Sequence, residues 1–223
     1  MNGTALLDGL QATLAHINDV PVHVPVTSFH LGERARCAAL LGRELAEAED
    51  EQLLLREEGP ELALTVYIDA AVLERLAAHD PIAHLGEANL ADYCTAMEGV
   101  SHFQYVIWSV RCGRQLSLLE LELQAEVDKY AVAVCLLSAQ GRTGATAQLW
   151  HRLFDAVGFV AGLGAEQLRR YQEANHHAAR FCQRLQRQYL HARRFRPEAW
   201  LRALREFYRA AHHQKLRCAQ SHP

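Results

Sequence analysis

The chain lacks the signatures that most directly name a function. There is no Cys-x-x-C pair, no Gly-x-Ser-x-Gly elbow, no His-Glu-x-x-His run and no Gly-Lys-Ser/Thr loop. Zinc frameworks, elbow-type hydrolases, zincin-like peptidases and P-loop nucleotide binders therefore have no motif to stand on. Glycine and proline are scarce, 13 and 6 among 223 residues, which excludes collagen-like or low-complexity architecture. The longest apolar stretches, around Ala131 to Leu137 and Ala156 to Leu163, fall far short of the ~20 residues a membrane helix needs. The first residues have neither the basic region nor the unbroken apolar region of a secretory signal. The six cysteines are widely spaced, the usage of reduced thiols. These absences together give the expectation of a cytoplasmic, non-membrane protein. With 50% hydrophobic and 22% charged residues, the chain has the composition of an ordinary globular protein.

Charge of one sign is lacking in each part of the chain. Residues 1 to 167 carry 23 acidic and 10 basic side chains, a balance of -13, whereas residues 168 to 223 carry 3 acidic and 13 basic, a balance of +10. A basic face at Arg180, Arg184 and Arg187 would suit an acidic protein partner. The alternative is that the basic helices pack on their own acidic body. Nucleic acid is disfavoured as a partner, because the whole chain is mildly acidic and contains no reader motif.

Periodicity supplies the fold. Apolar residues at helical spacing predict a helix over Thr4 to Asn18, and Val20, Val22, Val24 and Val26 alternate with two prolines, so the stretch 20–31 reads as an edge strand or extended segment. Residues 32–50 read as a helix with Ala38, Leu40, Leu41 and Leu45 on its buried side, and 52–69 as a β-hairpin turning at Gly59-Pro60. Helices are predicted at 70–79, 89–112, 117–140, 145–161, 165–190 and 197–214, separated by glycine breakers and by Pro197 at a helix start. The expected class is α+β, predominantly α. It comprises a short N-terminal antiparallel sheet of two or three strands in residues 1–80 and a bundle of about six helices in 81–223, the two forming one continuous unit.

The informative residues are polar groups at inward positions. On the helix 117–140, Glu120, Gln124 and Asp128 form an ordinary polar strip, but Glu122, Glu126 and Lys129 fall within the apolar arc. A buried carboxylate must be paired, protonated or bound to a cation. On the helix 89–112, one side carries Cys94, Glu98, His102, Tyr105, Ser109 and Cys112, polar yet nearly free of charge, as suits burial on both sides. Glu98 and His102, four residues apart, can touch and would make an acid–base pair. On the helix 165–190, Tyr171 and Asn175 face inward, whereas His176 and His177 point outward among arginines.

Two functional readings follow. In the first, His102 and Glu98 are catalytic, Glu122 and Glu126 hold a metal ion with His102, and Lys129, Tyr171 and Asn175 contact a small polar ligand; a structural hydrogen-bond network would use the same residues. In the second, a non-enzymatic protein docks an acidic partner through Arg180, Arg184 and Arg187. Periodicity does not fix whether the polar sets on different helices meet, nor the oligomeric state.

Overall fold

The computed structural model describes residues 3–46, 49–58, 61–156, 164–190 and 197–220. Helix α1 (Gly3–Asn18) leads through a 3-10 turn at Val26–Phe29 into the short strand β1 (His30–Leu31), then α2 (Arg34–Leu41), β2 (Glu51–Glu58), β3 (Glu61–Ile68) and α3 (Ala70–Ala78). The long helices α4 (Leu90–Arg111) and α5 (Leu118–Ala139) follow. Then come the short α6 (Thr146–Trp150) with a π-turn at His151–Asp155, α7 (Ala165–Tyr189), α8 (Pro197–Arg209) and α9 (His212–Gln220). The α+β, mainly helical class holds. No helix among the described residues is long and apolar enough to cross a membrane.

The local chemistry explains the boundaries. Asp69 caps α3 by accepting from the Ala71 amide, and Ser117 caps α5 by accepting from Glu120. The predicted hairpin is present as β2 and β3, its Gly59-Pro60 turn lying outside the described residues. The strand expected within 20–31 is reduced to His30–Leu31, because Pro21 and Pro25 cannot donate to a ladder. It joins β3 in parallel, so the sheet is mixed, in the order β1-β3-β2.

Three further expectations are corrected. Only Arg34–Leu41 of 32–50 is helical, and Cys37, not Leu40, is its buried contact; Leu40 stands in solvent. The predicted helix 145–161 is interrupted by the π-turn, with 157–163 outside the described residues. The last predicted helix divides at Ala210–Ala211 into α8 and α9.

The sheet has two dressed faces. Leu64, Val66 and Ile68 of β3, with Leu53 of β2, belong to the main core shared with α1 and α3–α8, whereas Leu31, Tyr67, Cys37 and Leu54 form a small cluster on the other side. Helix α4 crosses the first face and packs tightly on it at Gly99. A Cβ there would stand 3.0–3.1 Å from side-chain carbons of Ile68 and Val66, both fully buried.

Helix α5 runs through the centre, packed on α1, α4, α6 and α7. The strip Glu120, Gln124 and Asp128 that would ordinarily meet water is buried. Asp128 accepts from Ser101 (2.7 Å), Gln124 (2.8 Å) and Asn18 (3.3 Å), and Glu120 accepts from Tyr105 (2.7 Å) and Arg114 (3.0 Å). Lys215 of α9 enters this side fully buried and donates to Gln124, its ammonium 4.3 Å from the Tyr105 ring centre and 5.0 Å from that of Phe207.

Burial pushes the Lys215 amine down from lysine's ordinary 10.5 to about 7, against the attraction of Glu120 and Asp128. Burial likewise pushes Asp128 up to about 6 despite its three hydrogen-bond donors. Between roughly pH 7 and 10.5 the unfolded chain binds more protons at Lys215 than the folded one, so this contribution to stability rises with pH through that window. Lys215→Met is expected to flatten this alkaline rise and, because it leaves Glu120 and Asp128 without their nearby amine and Gln124 without its donor, to lower the unfolding free energy by about 3–5 kcal/mol. Urea unfolding at pH 7 and pH 9 reads both, and a variant with the pH dependence of the parent would contradict the assignment. Gly99→Ala should cost about 1–3 kcal/mol in the same assay, since neither neighbour has room to retreat.

Candidate metal centre

Three helices and a strand bring the site together. Glu98 and His102 stand one turn apart on α4, and Glu122, Glu126 and Lys129 form a stripe at i, i+4 and i+7 on α5. Arg170 and Tyr171 come from the first third of α7. Glu51 opens β2 opposite Ile68, and alternation along the strand puts it on the same side as Leu53, facing α4.

The His102 imidazole lies between two carboxylates. Its Nδ1 faces Glu51 at 3.4 Å and its Nε2 faces Glu122 at 3.4 Å. The ring is 4% exposed, and Nε2 makes no hydrogen bond of acceptable geometry. Lys129 bridges two further carboxylates, donating to Glu126 at 2.7 Å and Glu98 at 3.0 Å. Arg170 stands 3.7 Å from Glu122, its Nε buried and without a hydrogen-bond partner.

The electrostatics follow from that packing. Burial opposes charge on His102, but Glu51 and Glu122 outweigh it and hold the imidazolium proton well above histidine's ordinary range. Burial also opposes charge on Lys129, and Glu126 and Glu98 outweigh it, keeping the ammonium firmly charged. Glu98 is held below the ordinary carboxylate range because Lys129 overcomes its burial. Burial prevails at Glu51 and Glu126, raising both despite His102 and Lys129 respectively. The Tyr171 phenol is pushed up by burial and by the charges of Glu122, Glu98 and Glu51. Four carboxylates thus share two permanent cations and one imidazole.

One donor atom from each of Glu98, His102 and Glu122 lies within 4.8 Å of the other two. Donors about 2.1 Å from a tetrahedral ion stand roughly 3.4 Å apart, which is the His102–Glu122 separation. The buried Glu/His cluster could therefore hold a divalent cation, with one donor pair at that separation and the others within 4.8 Å.

Of the residues expected from sequence, Glu98, His102, Glu122, Glu126 and Lys129 meet here, and Tyr171 lies within their field. Glu98 is turned to Lys129 and not to the imidazole, whose orientation comes from Glu51. Glu126 is likewise turned to Lys129. Asn175 is buried but elsewhere, donating to the Leu153 carbonyl at 3.3 Å. His177, expected outside, is buried beside an exposed His176. Arg180 donates to the carbonyls of Ala219 and Gln220 and Arg184 to that of Cys218, so both hold the end of α9, while Arg187 is exposed.

Sequence reasoning missed Glu51 and Arg170. Glu51 falls between the predicted helix 32–50 and the hairpin 52–69, in an acidic stretch, yet stepping back two residues from Leu53 places it on the core-facing side. Arg170 carried no such signal, being one of several arginines on a strongly basic helix. No protein-family model, curated protein or solved structure matches this chain.

Glu51→Ala should lower the pKa of His102, because it removes an opposing charge and a hydrogen-bond acceptor from Nδ1. An NMR titration of the ring resonances measures this, and an unchanged His102 would show that Glu51 does not orient it.

Proposed function

We propose that this chain is a metalloprotein in which Glu98, His102 and Glu122 hold one divalent cation of the zinc, manganese or iron(II) class. The observation that supports this reading best is the buried Nε2 of His102, which has no hydrogen bond and points toward Glu122. The donor set, one imidazole and two carboxylates, suits borderline to hard first-row ions. Glu51 on Nδ1 supplies the carboxylate–histidine support that fixes the tautomer and strengthens a metal-binding imidazole.

Three protein donors leave at least one coordination position open, the arrangement of a catalytic rather than a structural ion. Such an ion acidifies bound water and polarises a substrate oxygen. In this reading Lys129 holds Glu98 and Glu126 in place, and the Tyr171 phenol stays protonated as a donor to a small polar substrate. The acid–base role expected of His102 passes to the centre as a whole, since the imidazole is a ligand. Docking of an acidic partner has less support, because Arg180 and Arg184 are engaged with α9.

Metal must displace the proton that His102 otherwise holds, so affinity should rise about tenfold per pH unit while that proton remains. Calorimetric titration of chelator-treated protein with zinc, manganese or anaerobic iron(II) is expected to show one equivalent bound by the parent. His102→Ala and Glu122→Gln should weaken binding by at least about 100-fold and Glu126→Gln by far less. Circular dichroism confirms folding of each variant. Failure of the parent to bind all three ions, or equal binding by His102→Ala, would overturn the proposal.

A further inference from the structure

Beyond the charged stripe, toward the C-terminal end of α5, lies a cavity of about 490 Å³ between α5, α6 and α7. Its size falls within the roughly 300–1,000 Å³ of small-molecule sites. Val134, Trp150 and Leu190 supply apolar wall. The Trp150 indole N–H is already given to the Ala179 carbonyl at 3.1 Å, so the ring is fixed and offers apolar surface rather than a donor.

The polar wall is different in kind. Ser138, Gln183, Gln186 and Arg187 reach the cavity, and their side chains make no hydrogen bond or ion pair among the described residues. Arg187 is the one charged residue in the described wall, which contains no aspartate or glutamate. An unopposed guanidinium beside uncommitted amides and an aromatic ring matches a ligand with an apolar body and one anionic oxygen group, since the planar fork of Arg binds carboxylates and similar oxyanions in register.

We infer that this cavity is a binding site for a small amphipathic organic anion, a carboxylate or sulfonate carrying an aromatic or aliphatic body. It shares no residue with the proposed metal centre, so the two can fail independently. Arg187, expected from sequence to dock an acidic protein, acts here on a small acid.

Two fluorescent dyes that differ only in the anionic group test this: anilinonaphthalene sulfonate and the uncharged N-phenylnaphthylamine. The full-length parent should bind one equivalent of the sulfonate, saturably and at least about tenfold more tightly than the neutral dye. Arg187→Met, a change at an exposed position, should remove that preference while leaving the neutral dye's affinity within about twofold. Ala147→Phe fills the cavity from an exposed position on α6 and should abolish binding of both dyes, with circular dichroism unchanged. Equal affinity of the parent for the two dyes, absence of saturable binding, or binding that survives Ala147→Phe would overturn the inference.

Discussion

Helix α5 has almost no solvent face along its middle turns, and the rest of the architecture answers to that. A helix buried all round is ordinarily apolar, because each charge placed on it must be satisfied within the protein. This one carries Glu120, Glu122, Glu126, Asp128 and Lys129. On one side the charges are met by Tyr105, Arg114, Ser101, Asn18 and Lys215. On the other they are met by His102, Arg170, Glu98 and one another. The basic C-terminal helices thereby acquire a structural purpose, since Lys215 brings a compensating amine into the acidic interior and Arg180 and Arg184 hold the helix that carries it.

The two sides differ in how their carboxylates are matched. Around Asp128 each carboxylate oxygen receives a donor, and the nearby ammonium lies against aromatic faces. Around His102 the matching is incomplete: an imidazole nitrogen and the Arg170 Nε lack hydrogen bonds, and carboxylates outnumber permanent cations. A purely structural network gains by closing such gaps, because an unsatisfied buried group costs about 1–3 kcal/mol. Unsatisfied buried atoms also occur at Ser109, Tyr130, His177 and Tyr208, but those of His102 and Arg170 lie beside an excess of carboxylates.

Much of the fold was legible because periodicity reports burial directly. The hairpin, the long helices and the inward Glu122, Glu126 and Lys129 all followed from spacing. Legibility failed where burial came from neighbours a single helix does not reveal. Glu120, Gln124 and Asp128 looked like a wet strip because nothing on α5 itself announces that α1, α4 and α9 cover it. Asn175 was correctly inward yet meets Leu153, since facing inward does not say which interior is faced. Glu98 and His102 were paired by their spacing, but Lys129 attracts Glu98 more strongly, leaving the imidazole to a strand residue about fifty positions earlier. The division of α8 from α9 was missed because Ala210 and Ala211 are themselves good helix formers.

The entry of Glu51 from a strand has a consequence for assembly. Strand side chains alternate, so slipping β2 by one residue against β3 would turn Glu51 away from α4 and leave His102 without its orienting partner. The centre also draws on residues separated by more than a hundred positions, so it forms only after the sheet has docked under α4 and α7 has closed over α5. An ion bound there would recognise correctly registered, fully docked chains, and by mass action would draw the population toward them.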